Sequence, residues 1–177
     1  SIKHPNFKPI ISNIGKTKGD GLNAAVKYAT GELVCVLDAD TLIPKDYFDI
    51  VLANLSDNAA MQTEVRLYNA NDSFLSKMGD LEFRIAWATR QAPFAKLGIS
   101  ILGGSGMFVR TNVLEQIGFW GQSLADDTEM SIKIMKLGYK IGYTDKTCIH
   151  QEGVTQLVPY LKQRTRWLQG NIQLIPA

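Results

Sequence analysis

The stretch Leu33-Val34-Cys35-Val36-Leu37-Asp38-Ala39-Asp40 constrains the fold more than any other part of the chain. Five consecutive apolar residues predict a strand buried on both faces. The run breaks off in two carboxylates separated by one alanine. Side chains alternate along a strand, so Asp38 and Asp40 are expected to leave the same side at its C-terminal tip. In open α/β sheets that carboxyl edge is where ligands bind. Two converging acids repel each other unless positive charge lies near, and a hard divalent cation with oxygen ligands is the simplest partner. The plainer alternative, one Asp capping the next turn and the other solvated, sits poorly behind so apolar a strand.

The rest of the chain reads as alternating strands and helices. A basic loop, Gly15-Lys16-Thr17-Lys18-Gly19, leads into a helix over residues 22–29 stopped at Gly31. A second helix starts at Pro44 and runs to about residue 54, with Tyr47, Ile50 and Val51 inward. Residues 61–65 alternate like a strand. Over residues 73–91, Phe74, Met78, Leu81, Ile85 and Ala88 recur at three and four, predicting a helix ended or kinked by Pro93. Gly103-Gly104-Ser105-Gly106 turns the chain into a strand at 107–109, followed by a short helix stopped by Gly118. A helix over 127–137, a strand at 141–143 and a final helix over 158–172 complete the pattern of a layered α/β domain.

Length and composition bound the function. The 177 residues suffice for one domain, residues 1–177, with a sizeable core. A net charge of +2 argues against a nucleic-acid binder. Cys35 and Cys148 make no disulfide framework, so a reduced, cytosolic setting is expected. No apolar run of about 18 residues is present to span a bilayer. The opening Ser1-Ile2-Lys3-His4 has neither initiator Met nor signal peptide, and is read as the start of a piece of something longer.

Three further segments carry chemistry. Lys16 and Lys18 in their glycine-flanked loop offer ammonium groups and backbone donors to an anion, although the loop is not a Walker sequence. In Leu124-Ala125-Asp126-Asp127-Thr128-Glu129, the Asp126/Glu129 spacing predicts a capping box with Asp126 as N-cap. Asp127 would then open the helix, the dipole holding its carboxylate ionised, ready to accept a proton from an incoming hydroxyl. Gln163, Arg166 and Trp167 share one helix face, uniting an amide, a cation suited to phosphate oxygens and an indole suited to a sugar face. The glycines of Gly103-Gly104-Ser105-Gly106 either let a ligand approach the backbone or merely build a bulge before the strand. His150, near Glu152, reads as an ordinary surface or supporting histidine.

Asp38-Ala39-Asp40, then Asp126-Asp127, then Gln163-Arg164-Thr165-Arg166-Trp167, in this order and spacing, resemble the processive family 2 glycosyltransferases: cellulose, hyaluronan, chitin and poly-N-acetylglucosamine synthases. The resemblance covers roughly residues 10–172, with Lys18-Gly19-Asp20-Gly21-Leu22-Asn23, Gly104-Ser105-Gly106 and Gln169-Gly170 contributing. It implies a GT-A (Rossmann-like) fold, a layered mixed sheet with helices on both faces, its first strand–helix–strand unit expected before Ile10. It implies an inverting, metal-dependent transfer of sugar from a nucleotide-diphosphate sugar, most simply a UDP-sugar, to a glycan acceptor. By the same resemblance Asp40 would hold Mg²⁺ or Mn²⁺, and Asp38, Lys18, Arg166 and Gln163 would contact the donor. Trp167, Gly104 and Ser105 would meet the acceptor. Asp127 would be the base, with Asp126 the other candidate, since many relatives carry Thr-Glu-Asp where this chain has Ala125-Asp126-Asp127. The implied setting is the cytoplasmic face of the plasma membrane, reached through segments outside this chain.

Two rivals differ in class. Haloacid-dehalogenase phosphatases also place Asp-x-Asp after a buried strand, but continue with Gly-Thr where this chain has Thr41-Leu42. A non-catalytic nucleotide-sugar-binding module is the other, and the retained motif acids speak against it.

Overall fold

The computed structural model describes residues 6–11, 15 and 17–175. Among them, four strands form one mixed sheet in the order β1-β3-β2-β4: β1 Leu33–Val36, β2 Ala60–Leu67, β3 Met107–Arg110 and β4 Ile141–Gln151. β3 runs antiparallel to both β1 and β2, whereas β4 runs parallel to β2. Among the described residues, seven α-helices surround the sheet: α1 Lys18–Val26, α2 Tyr47–Leu55, α3 Phe74–Ala86, α4 Ala92–Lys96, α5 Thr111–Gln116, α6 Asp126–Lys136 and α7 Leu157–Gln173. None is long and apolar enough to cross a membrane among the described residues.

The period of two along the strands divides the core between the two faces. Met107, Val109, Ala60 and Ile141 pack with Val113 and Leu114 of α5 and with Met130 and Ile134 of α6. Phe108, Met61, Val65 and Ile149 pack with Tyr47, Val51 and Leu55 of α2 and with Trp87 beyond α3. Helices therefore lie on both faces of a mixed sheet, as expected for this fold class.

Several elements depart from the sequence reading. β1 is an edge strand of this sheet, and only Val36 among its four residues is fully buried. It ends at Val36, so Asp38 and Asp40 sit in the following turn, closed by the Thr41 N–H donating to the Asp38 carbonyl (3.0 Å). α1 stops at Val26, and Gly31 has no left-handed backbone. β4 extends eight residues past Tyr143, its register against β2 broken by a bulge between Thr63 and Glu64. Pro93 does not end α3. A π-helical turn, Trp87–Gln91, links α3 to α4, and Pro93 falls within the first turn of α4, where a missing N–H is tolerated. Ile10-Ile11-Ser12 reads in sequence as a possible short strand; Ile10 and Ile11 take no regular structure, and Ser12 lies outside the described residues.

Candidate active site

Four segments far apart in sequence open onto one cleft of about 930 Å³. Asp38 and Asp40 come from the turn after β1, Gly103 and Gly104 from the turn before β3, Asp126 and Asp127 from the start of α6, and Gln163, Arg166 and Trp167 from α7. Lys18 opens α1 beneath them. Thr17 fixes that helix start, its hydroxyl accepting from the Asp20 N–H while Asp20 accepts in return from the Thr17 N–H.

The Lys18 ammonium ties the first two segments together. It donates to Asp38 Oδ1 (2.5 Å) and to the Gly104 carbonyl (2.8 Å). Gln151 Nε2 donates to the other Asp38 oxygen (3.2 Å), and the Glu152 N–H lies 3.4 Å from Asp40 Oδ2. Gly104 has φ +76°, and a Cβ built there would stand 3.1 Å from Asp127 Oδ2, so glycine lets the base candidate approach this turn. The turn is pinned from below by Gln62, fully buried on β2: its Nε2 donates to the Ser105 carbonyl (2.8 Å) and its Oε1 accepts from the Gly103 N–H (2.8 Å). Ser105 is itself buried, its hydroxyl accepting from the Asp38 N–H (3.0 Å) and meeting Thr41 Oγ1 (3.1 Å). That is a correction to its expected place at the acceptor: Ser105 holds Asp38 in position and does not line the cleft.

The second acidic pair corrects two more expectations. Ala125, not Asp126, is the N-cap of α6; Asp126 and Asp127 are its first two helical residues, and Glu129 bonds Lys133 (2.8 Å) instead of closing a capping box. The helix start was expected to keep Asp127 strongly acidic. Burial instead pushes its carboxyl above the usual range, helped by repulsion from Asp126 and opposed by the Thr128 N–H and the Lys18 ammonium. Asp126 is raised too, again chiefly by burial, with Lys18 opposing. Desolvation is the largest influence on both groups because the cleft walls take bulk water away from them.

On α7, Trp167 lies against Phe83 of α3, ring centroids 6.3 Å apart. Arg164 stacks over Tyr160 and Trp167 (4.8 and 4.5 Å to the centroids) while pairing with Glu82 of α3 (2.7 Å). It thereby clamps the indole in place, while the more exposed Arg166 has no ion pair among the described residues. His150 is not among the cleft residues; its ring sits 3.9 Å from Cys148 Sγ. Sequence reasoning missed Gln62, Gln151 and Arg164. The signal for Gln62 was an amide inside an otherwise apolar buried strand; Gln151 was hidden because β4 was read too short.

The donor set at Asp38 and Asp40 fits a hard divalent cation: carboxylate oxygens at the cleft, with no His, Cys or Met among the described residues that line it. No cluster of three or more His, Cys, Asp or Glu able to hold a metal occurs among the described residues. A cation here would therefore complete its shell with substrate oxygens or water.

The fold corresponds to that of a known sugar transferase. The chain superposes with a TM-score of 0.69, at 24% identity, over 90% of its length and 42% of the other chain, on a mannosyltransferase from Pyrobaculum calidifontis. In sequence it is 28% identical to a probable glycosyltransferase, YdaM, of Bacillus subtilis over 97% of this chain and 43% of that protein. It is 28% identical to the β-monoglucosyldiacylglycerol synthase of Synechocystis (97% and 37%) and 25% identical to the poly-β-1,6-N-acetyl-D-glucosamine synthase of Staphylococcus epidermidis (98% and 43%). Fold and relatives together define a glycosyltransferase domain of the GT-A type. More particularly, residues 33–176 match the family described as Glycosyl transferase family group 2, and the chain belongs to that family. The phosphatase reading is thereby set aside. The chain spans about two-fifths of the length of the curated relatives it matches.

Proposed function

We propose that this domain transfers a sugar from a nucleoside-diphosphate donor to a hydroxyl of a glycan acceptor, with inversion at the anomeric carbon. The observation carrying this reading is the meeting in one cleft of Asp38 and Asp40, Asp127, and Arg166 with Trp167. Asp127 accepts the acceptor hydroxyl proton as that oxygen bonds to the anomeric carbon. The bond from that carbon to the diphosphate breaks, and its electron pair leaves with the diphosphate. Burial raises the basicity of Asp127 and so suits it to the proton transfer. Lys18 and Arg166 stabilise the charge gathering on the leaving diphosphate. A divalent cation, Mg²⁺ or Mn²⁺, held by Asp40 with Asp38 beside it, would supply Lewis-acid neutralisation of the same charge. The Pyrobaculum neighbour, whose structure is in complex with GDP-mannose and Mn²⁺, supports the choice of donor class and cation. The resemblance to polysaccharide synthases supports a UDP-sugar donor and a catalytic domain at the cytoplasmic face of a membrane, and the 25%-identical Staphylococcus relative supports the glycan acceptor.

Asp127→Asn in the full-length protein tests the assignment. Transfer to acceptor should fall by about 10²–10⁴-fold, the worth of a positioned general base, while calorimetric binding of donor with Mn²⁺ is retained. Undiminished transfer would remove Asp127 as the base.

A further inference from the structure

The Lys18 side chain is long, flexible and 41% exposed, yet its ammonium donates to Asp38 Oδ1 and to the Gly104 carbonyl at once. It also acts on the charge of Asp126 and Asp127. Meeting all of these needs a fixed starting point, and α1 does not supply one by itself. An isolated helix of nine residues is marginal in water, so its position comes from what it packs against.

Gly19, Leu22, Asn23 and Val26 recur at three and four and share one face of α1. Leu22 and Val26 lie against the core that contains Trp120. A Cβ on the buried Gly19 would stand 2.9 Å from the Gly121 carbonyl oxygen and 3.7 Å from Asp126 Oδ2. Apolar packing is non-directional and lets a helix slide or turn. Asn23 is the directional member of this face. Its Nδ2 donates to the Trp120 carbonyl (2.9 Å) and its Oδ1 accepts from the Trp120 N–H (3.0 Å), so one side chain grips both backbone groups of one residue. Asparagine is a weak helix former, and these bonds offset the cost of placing it mid-helix. At the exposed rim, Gln122 Nε2 adds a bond to Asp20 Oδ1 (2.8 Å).

The gripped loop carries strain of its own. Phe119 has φ +64°, a backbone that a non-glycine residue keeps only where neighbouring contacts over-determine it. From Trp120 the chain runs on into Asp126 and Asp127 at the start of α6. The same contact therefore locates the cation and the segment bearing the acid pair. A slip of α1 by one residue would shift it about 1.5 Å along its axis and turn it by about 100°, enough to break both Lys18 bonds.

We infer that Asn23 is a positioning residue for the transfer reaction: it locks the register of α1 on the loop entering α6, and so holds the Lys18 ammonium between Asp38, Gly104 and the Asp126/Asp127 pair. Asn23 touches no reacting atom and acts through Lys18. This rests on the transfer reading above and deepens it by naming what sets the reach of the cation which that reading uses.

The test uses the full-length protein, its Asn23→Ala and Lys18→Met variants and the double variant. Each is supplied in turn with UDP-glucose, UDP-N-acetylglucosamine and GDP-mannose, with Mn²⁺ and β-linked glucose or N-acetylglucosamine trisaccharides. Asn23→Ala should lower kcat/KM about tenfold in the wild-type background and less than about twofold in Lys18→Met, because the cation it places is already gone. A purely structural role would cost the same in both backgrounds, so equal losses, or none, would overturn the proposal. Competitive acylation read by mass spectrometry follows the placement without turnover: Lys18 should label several-fold faster in Asn23→Ala, with Lys140 unchanged. Should the alanine variant not fold, the isosteric Asn23→Asp keeps the acceptor for the Trp120 N–H, loses the donor, and should show the same pattern at smaller amplitude. Lys18 labelling at the wild-type rate in these variants would overturn the proposal. Faster labelling, with no transfer by the wild type from any of the three donors, would sink the transfer reading and leave Asn23 as the residue that places Lys18.

Discussion

Two pairs of aspartates face one cleft, and the fold treats them oppositely. Asp38 and Asp40 sit on an open turn; the Asp38 side chain is 40% exposed, gripped by the Lys18 ammonium and the Gln151 amide. Asp126 and Asp127 sit at a helix start against the cleft wall, where burial raises both carboxyls. Carboxylates on an open turn stay accessible to a cation from solvent. Acids short of solvent are suited to take up a proton. Identical side chains within one cavity thus acquire separate tasks from their surroundings alone. Lys18 joins the two pairs, bonding to one and lowering the proton affinity of the other.

In donor binding, the largest break in that contrast should come from the open pair. Asp40→Ala removes the carboxylate assigned to the cation, so Mn²⁺-dependent donor affinity should fall by about 100-fold or more. Calorimetry with and without Mn²⁺ measures it; equal donor affinity in variant and wild type would move the cation elsewhere. Lys18→Met should have the next largest effect, lowering kcat/KM about ten- to a hundredfold through loss of hydrogen bonds from a charged donor. It should also displace the acidic limb of the pH–rate profile. The base works only when deprotonated, so activity falls as pH drops through its raised pKa. Lys18 holds that pKa down, and its loss should move the limb to higher pH. Asp126→Asn should do the reverse, since Asp126 repels the ionised Asp127. Limbs moving the same way in both variants would assign the proton transfer to another group.

Much of this arrangement was legible in the sequence, because the element alternation and the three motifs depend on local pattern. What stayed hidden depended on partners far along the chain. The three- and four-residue spacing of Phe74, Met78, Leu81 and Ile85 correctly gave α3, but those residues are 42–76% exposed. The side turned to the sheet is Ser76, Gly79 and Asp80, where the buried Asp80 accepts from Arg66 Nε and Nη2 (3.0 Å each) and from the Leu67 N–H. Periodicity identifies a helix; only the neighbours decide which face they cover. The extension of β4 was concealed by polar Thr144, Asp145, Lys146 and Thr147, which straddle its bulge. Within the site, the order and nature of the acids could be read. Their protonation could not, because desolvation is set by the surrounding walls.

The smallest expected effect probes how the buried pair is held. The open pair is fixed by hydrogen bonds, whereas the segment leading into Asp126 is fixed by packing: Gly170 of α7 lies directly on it. A Cβ at Gly170 would stand 2.7 Å from Ala125 N and 2.8 Å from the Leu124 carbonyl carbon. Both are backbone atoms that no rotamer change can move away. Helix propensity alone predicts that Gly170→Ala stabilises the protein by about 1 kcal/mol. Overpacking of this kind costs about 1–3 kcal/mol and should win narrowly. The melting temperature should then fall by about 2–4 °C for a net loss near 1 kcal/mol. Because the displaced backbone carries Asp126 and Asp127 and not Asp38 or Asp40, kcat should drop while donor affinity holds. A rise in melting temperature with unchanged kcat would mean that α7 slides freely over this segment, and that the two acidic pairs are held alike.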